Sequence, residues 1–471
     1  MYGGLSTQIS AANIGEISPS GKTLFSWRRV VVYTLVFGAA VVGLQRLLRY
    51  TCESWVSFDC PYYWPVSIFE LRSPGFGGIV TAAAVVTAFF VLYRVLEVQG
   101  FKLGLVILFG SLLILGTTLI QGVDVGIRTP VAGDARSGVL VPVSQDGQEY
   151  WHDAITITEP AAFFANYNQI QPTLHEHAHT HPPGAVLTYY FLSRVFSDPA
   201  FISLAIMLFS VSVTVVFFYK LVVTETSDAT ASYMAFLIAL LPAVEVYYLA
   251  TIDAVVASLL IAALYFFCFG KSRLAGTAAA LLLTTSFLLT YVSLFILPVL
   301  GLYELIVKKS LKQFAAVVGL VVGIHAILYF ATGYNAWAAF REASHFENPN
   351  GFMMFVDPVN YLFTRLEDVS EILFFFGPFL IVLFWRGMRR IELTPLFTLS
   401  VLGVATLLGM FLVGAFRTGE TARACAFIYP FLLFPVAKLL GTDSTKNARL
   451  QLASLVFLQT VGMQSLGTFH W

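Results

Sequence analysis

Charge is what this chain has least of. Asp, Glu, Lys and Arg make up 11% of its 471 residues, against about 25% in a soluble globular domain. The two signs cancel to a net charge of zero. No excess of basic charge is therefore available to draw nucleic acid, and none is expected as a partner. Cysteine is scarce too, at four residues. Cys268 and Cys425 lie in apolar runs and read as core. Cys52 and Cys60 share one loop, where a disulfide is open if that loop faces an oxidising compartment. Their spacing matches no zinc motif. There is no glycine-rich phosphate loop. Residues 1–27 are polar and rich in Ser and Gly. They lack the apolar stretch of a cleavable signal, so the first apolar run is expected to remain as an anchor. No internal repeat points to a transporter of inverted halves.

Apolar sequence is plentiful, at 58% of residues. Runs long enough for a helix to cross a bilayer recur along the chain. A barrel would instead show short alternating strands. The reading is an all-α integral membrane protein with thirteen spans. They fall at 30–48, 76–94, 103–122, 200–220, 230–249, 254–270, 274–289, 291–307, 313–332, 371–386, 394–415, 422–440 and 449–467. Lysine distribution sets the orientation. With the N-terminus cytoplasmic, all nine lysines fall on the cytoplasmic side, as does the cluster Arg386, Arg389 and Arg390. Residues 184–196 are then an amphipathic helix in the outer interface, because a span there would reverse every later lysine. Four regions follow: a tail at 1–29, two accessory spans with an outer loop at 30–102, a main module at 103–440, and a last span and C-terminus at 441–471.

The polar residues collect in outer loops at 49–75, 123–199 and 333–370. The loop 123–199 carries Asp124, Asp134, Asp146, Glu149, Asp153 and Glu159. A carboxylate at the mouth of a membrane cavity can serve as a general base, bind a cation, or solvate the loop. Asp146, Glu149 and Asp153 are the densest group, with Tyr150 and His152 among them. Further on, His175, His177, His179 and His181 alternate. In an extended segment all four face one way and offer a site to a divalent metal; otherwise they are a polar loop with pH-dependent charge. His181-Pro182-Pro183-Gly184 aims His181 through two rigid prolines, although a helix beginning on Pro explains the same residues. Asp253 is either a functional acid near the apolar interior or an N-cap. Glu245, two turns earlier, needs a partner or a watery cavity. The loop 333–370 adds Arg341, Glu342, Glu367 and Asp368. The turn at 416–423 places Arg417, Glu420 and Arg423 at a helix N-terminus. Free N–H groups and arginines there suit an anion, and an interfacial Arg–Glu pair is the plainer account.

These motifs resemble a known superfamily. DGQEYWHD at 146–153 and Thr180-His-Pro-Pro-Gly184 before an amphipathic helix resemble the first outer loop of GT-C fold glycosyltransferases. These are polytopic enzymes related to protein O-mannosyltransferases and lipid A aminoarabinose transferases. Gly419-Glu-Thr-Ala-Arg423 before an aromatic, proline-bearing span, and the spacing of Pro242 to Asp253, are similar as well. Two departures stand out. Two spans precede the family's first one, and the adjacent Asp-Glu pair is replaced by Asp146 and Glu149 with two residues between them.

The resemblance implies a GT-C-like module that takes a sugar from a polyprenyl-phosphate carrier. The acceptor is a lipid, glycan or protein hydroxyl on the extracytoplasmic face. Asp146 or Asp153 is the implied base, with Asp124 as an outsider. Glu149 and His181 assist, while Tyr150, His152, Asp253, Arg341, Arg417, Glu420 and Arg423 contact substrate. No cofactor is required, and a divalent metal is optional. The expected location is the plasma membrane of a prokaryote, in contact with membrane lipids. A transporter or flippase using Glu245, Asp253 and the arginines is the alternative, and a structural subunit of an envelope complex a third.

Overall fold

A computed structural model describes residues 23–55, 73–133, 149–390, 392–415, 420–443 and 445–467. Within them the chain is helical, with no strand among the described residues. Eight helices there are long and apolar enough to cross a membrane: Trp27–Leu47, Phe76–Gln99, Leu103–Gln121, Pro199–Val222, Ile252–Phe269, Tyr291–Lys308, Lys312–Thr332 and Pro395–Leu412. Lipid-type surfaces accompany them. Leu35, Val36, Ile327 and Phe330 are 62–85% exposed, an apolar face that water does not tolerate and hydrocarbon covers. The protein is a multi-pass, all-helical membrane protein.

The other five expected spans depart from single long helices for local reasons. Residues 230–249 divide at Leu240–Leu241 into Asp228–Ala239 and Pro242–Tyr247, because Pro242 has no N–H to continue the ladder. The span expected at 371–386 straddles a 100° bend between Pro358–Phe376 and Pro378–Arg389. Gly377 makes that bend at φ 89°, a region that favours glycine, and Pro378 starts the second arm. Counted as one bent span, the pair raises the total to nine. Leu274–Leu289 is apolar but short. Residues 422–440 begin with a four-residue turn, Thr421–Ala424, and a 3-10 turn before the helix Tyr429–Asp443. The helix Lys446–Leu466 carries Arg449, Gln451, Gln459 and Gln464, which lower its apolar character.

Side-chain caps begin several of the helices. Ser227, Thr251, Ser272, Thr394 and Thr445 each accept a hydrogen bond from a backbone N–H two or three residues into the following helix, satisfying donors with no intrahelical partner. Three glutamates do the same in trans. Glu225 accepts from Leu396 N–H, and Glu304 from Gln313 and Phe314 N–H. Glu371 accepts from Thr421 and Ala422 N–H. Where lipid offers no donors or acceptors, the buried Glu304 and Glu371 carboxyls replace water.

Close helix packing uses small residues. At Gly387 a Cβ would come within 2.5 Å of the Pro435 carbonyl oxygen. Gly184, at the start of Pro183–Val195, would bring a Cβ to 2.3 Å from the Leu288 carbonyl oxygen. That contact seats the expected amphipathic helix on Arg273–Leu289. The short helix Glu149–Thr156 packs in turn on Pro183–Val195 and on the one-turn helix Glu176–His179. On another face of the bundle Arg386 lies over the ring of Phe25, whose N–H donates to Gln451. These are three segments that the lysine pattern assigns to one side.

Candidate functional site

The histidine run is helical rather than extended. His175 is the N-cap of Glu176–His179, and residues two apart on a helix do not face one another. The expected common face is therefore absent, and each ring has its own partner. His175 Nδ1 is 2.8 Å from Asp153 Oδ1, and its N–H donates to Asp153 Oδ2 at 3.1 Å. His177 Nε2 lies 3.4 Å from Arg423 Nη2 and 3.9 Å from Glu420 Oε2. His179 Nε2 lies 3.3 Å from Glu342 Oε1, with its ring 4.3 Å from that of Phe346. His181 turns back, its Nδ1 2.8 Å from the His177 carbonyl oxygen. Among the described residues no three His, Cys, Asp or Glu side chains gather as a metal set.

Two residues of Glu149–Thr156 reach this helix, three positions apart on one face. Asp153 holds His175. Tyr150 is buried, stacked on Tyr189 at 6.0 Å, and its ring meets His181 at 5.3 Å and His177 at 6.3 Å edge-on. Tyr189 donates to the Ala250 carbonyl at 2.6 Å, which ties the loop to the turn before Asp253. His152 is buried nearby, its ring 6.1 Å from that of His175.

Arg423 is the centre of the arrangement, at 5% exposure. Its Nη2 donates to Glu420 Oε2 at 2.5 Å, and its Nε is 3.4 Å from Asp253 Oδ2. Burial acts to lower the Arg423 pKa, but Glu420 and Asp253 outweigh it and leave the group above its ordinary range. Burial likewise acts to raise the Glu420 carboxyl, yet Arg423 and His177 bring it down to about 2. Thr251 is the N-cap of Ile252–Phe269, accepting from Ala254 N–H. Asp253 therefore takes the ion-pair role rather than the cap.

The turn at 420–423 differs from expectation in one respect. Its N–H groups at Thr421 and Ala422 are not open to an external anion, because Glu371 accepts from both at 3.1 Å. Any anion recognition here falls to the guanidinium. Three carboxylates, Asp153, Asp253 and Glu420, share the site with Arg423.

Of the other expected residues, Asp146, Arg417 and the side chain of Glu149 lie outside the described residues, as does the Cys52–Cys60 pairing. Arg341 is exposed on Ala336–Glu347 with no ion pair among the described residues; its neighbour Glu342 meets His179. Asp124 is paired with Arg128 at 2.8 Å, and Arg128 also binds Asp198 at 2.9 Å. Glu245 is buried beside Thr117, whose hydroxyl donates to Oε2 at 2.7 Å. Sequence reasoning offered His175 and His177 only to a divalent metal, and did not single out Tyr189 or Glu371. For Glu371, a single acid in an otherwise apolar segment (ILFFF follows it) was the only trace.

No protein-family model matches the chain, and no curated protein is a significant match to it.

Proposed function

We propose that the chain is a membrane glycosyltransferase that moves a sugar from a polyprenyl-phosphate carrier to a hydroxyl acceptor on the extracytoplasmic face. The observation that carries this reading is the junction of the loop carboxylate–histidine pair Asp153–His175 with Arg423, through His177, beside the apolar helix Ile252–Phe269. Such a transfer needs a base for the acceptor hydroxyl and a fixed cation for the phosphate that leaves. Asp153 is the described base candidate, and Asp146 is the other. Arg423 meets the phosphate, competing with Asp253 and Glu420, so donor binding loosens one of those pairs. Tyr150 and Tyr189, stacked on each other, brace the junction from behind. The lipid tail lies in a groove between helices, in keeping with a GT-C-like module at 103–440 in a chain of thirteen spans when the short and broken apolar helices are included.

The deciding experiment supplies membranes with radiolabelled polyprenyl-phosphate sugar. Asp153→Asn and Arg423→Ala each lower transfer by about 100-fold or more. Wild-type rates in Arg423→Ala would overturn the reading.

A second reading has its own support. Glu245, with Oε1 unpartnered, sits just after the break at Leu240–Leu241, and Pro358–Arg389 is sharply bent. Broken helices with ionisable groups are typical of transporters. A transporter or flippase moves its lipid-linked substrate unchanged. Translocation without sugar transfer in proteoliposomes would select it.

A further inference from the structure

We infer that Glu371 is the positioning residue for Arg423, holding its turn in place through a carboxylate that never touches substrate. The inference rests on the reading of Arg423 as the group that meets a phosphate.

The turn is an improbable one. Glu420 adopts φ 68°, ψ 12°, left-handed backbone that a residue with a side chain seldom takes unless its surroundings impose it. The helix that follows, Thr421–Ala424, is a single turn, too short to sustain itself. Something outside must hold it. Glu371, fully buried on Pro358–Phe376, accepts from two successive N–H groups, Thr421 and Ala422, both at 3.1 Å. One residue group earlier on the same helix, the Asp368 carbonyl accepts from Thr421 Oγ1 at 2.7 Å. The turn is thus pinned at three points to one helix.

That pinning decides where Arg423 points. Arg423 N–H donates to the Glu420 carbonyl at 3.1 Å, so its Cα position follows directly from the clamped residues. From there the guanidinium reaches Asp253 on one side and His177 on the other. A carboxyl group that accepts from two successive N–H groups holds them in a fixed direction, as bound water would not. The bend at Gly377 begins six residues after Glu371, so the clamp also links the arginine to the broken helix.

The experiment labels solubilised full-length protein with phenylglyoxal and follows the Arg423 adduct by mass spectrometry, alongside transfer assays. In Glu371→Gln the carboxylate is replaced by an amide with one acceptor oxygen. Labelling of Arg423 is expected to accelerate about 5-fold or more as the turn loosens, with thermal unfolding little changed. An unchanged labelling rate at Arg423 overturns the inference. Should Glu371→Gln not fold, Glu371→Asp, which keeps the carboxyl group one methylene short, is labelled instead with the same two outcomes. In the transfer assay Glu371→Gln lowers kcat/KM about 10-fold alone and less than about 2-fold in an Arg423→Ala background, because both act through one group. Additive losses overturn the positioning role and leave the transfer reading standing. Wild-type transfer in Arg423→Ala removes the transfer reading, while the labelling rate still judges the clamp.

Discussion

His177 and Arg423 stand 246 residues apart in sequence, yet His177 Nε2 lies 3.4 Å from Arg423 Nη2. A guanidinium only donates, so this contact draws on the imidazole lone pair. Protonation would turn the same nitrogen toward Glu420, 3.9 Å away. The ring thus faces both an arginine and a carboxylate.

Substituting His177 removes that ring. We predict that His177→Gln flattens the pH dependence of transfer between about pH 5 and 8, the interval in which histidine changes charge. Initial rates across that range, for wild type and variant, measure it. A variant profile superimposable on wild type would show that His177 carries no such role.

Glu420 predicts behaviour in acid. Its folded pKa is depressed to about 2 from an ordinary 4.5. The stabilisation is therefore complete above the unfolded value, and is lost as pH falls through that interval toward the folded value. It amounts to at most about 3 kcal/mol. Glu420→Gln should lower the detergent-phase unfolding temperature at neutral pH, and the gap to wild type should close as pH falls from about 4.5 toward 2. A gap that stays constant through this range would contradict the assignment.

His175 is expected to matter through Asp153. Its ring and backbone N–H occupy both carboxylate oxygens, fixing the carboxylate that the proposed mechanism uses. His175→Ala should reduce kcat by about 10-fold or more while KM for the donor changes little, since the donor phosphate is held elsewhere. A rise in KM alone would place His175 in donor binding instead.

Gly184 tests the seat of the helix Pro183–Val195. A Cβ there lands 2.3 Å from the Leu288 carbonyl oxygen, and backbone cannot yield as a side-chain tip does. Gly184→Ala should destabilise the protein by about 1–3 kcal/mol, read as a lower unfolding temperature. Gly276→Ala, on the helix beneath and with open space around it, serves as the unaffected comparison.

Much of the membrane architecture was legible. Eight of the thirteen expected spans are long apolar helices, because a run of apolar residues in lipid has little choice but to satisfy its backbone internally. Breaks were harder to read. Pro242 and Gly377–Pro378 stand openly in the sequence, but proline and glycine are tolerated inside membrane helices when neighbours supply the missing contacts. The pattern alone does not say which will break. The histidine alternation suggested an extended strip. The segment instead forms a helical turn, with the Tyr167 hydroxyl against the carbonyls of Ala178 and His181 and Gln171 donating to that of His179.

Composition and the placement of lysines were enough to make this a helical membrane protein and to mark the loop 123–199 and the turn at 420–423 as its chemically rich parts. Such properties are local, set by how each stretch partitions between lipid and water. The pairing of Arg423 with Asp253 and His177, and the support of its turn by Glu371, belong to the packed molecule alone. Ion pairs across distant helices depend on bends, crossing angles and close glycine contacts, and no short window of residues encodes those.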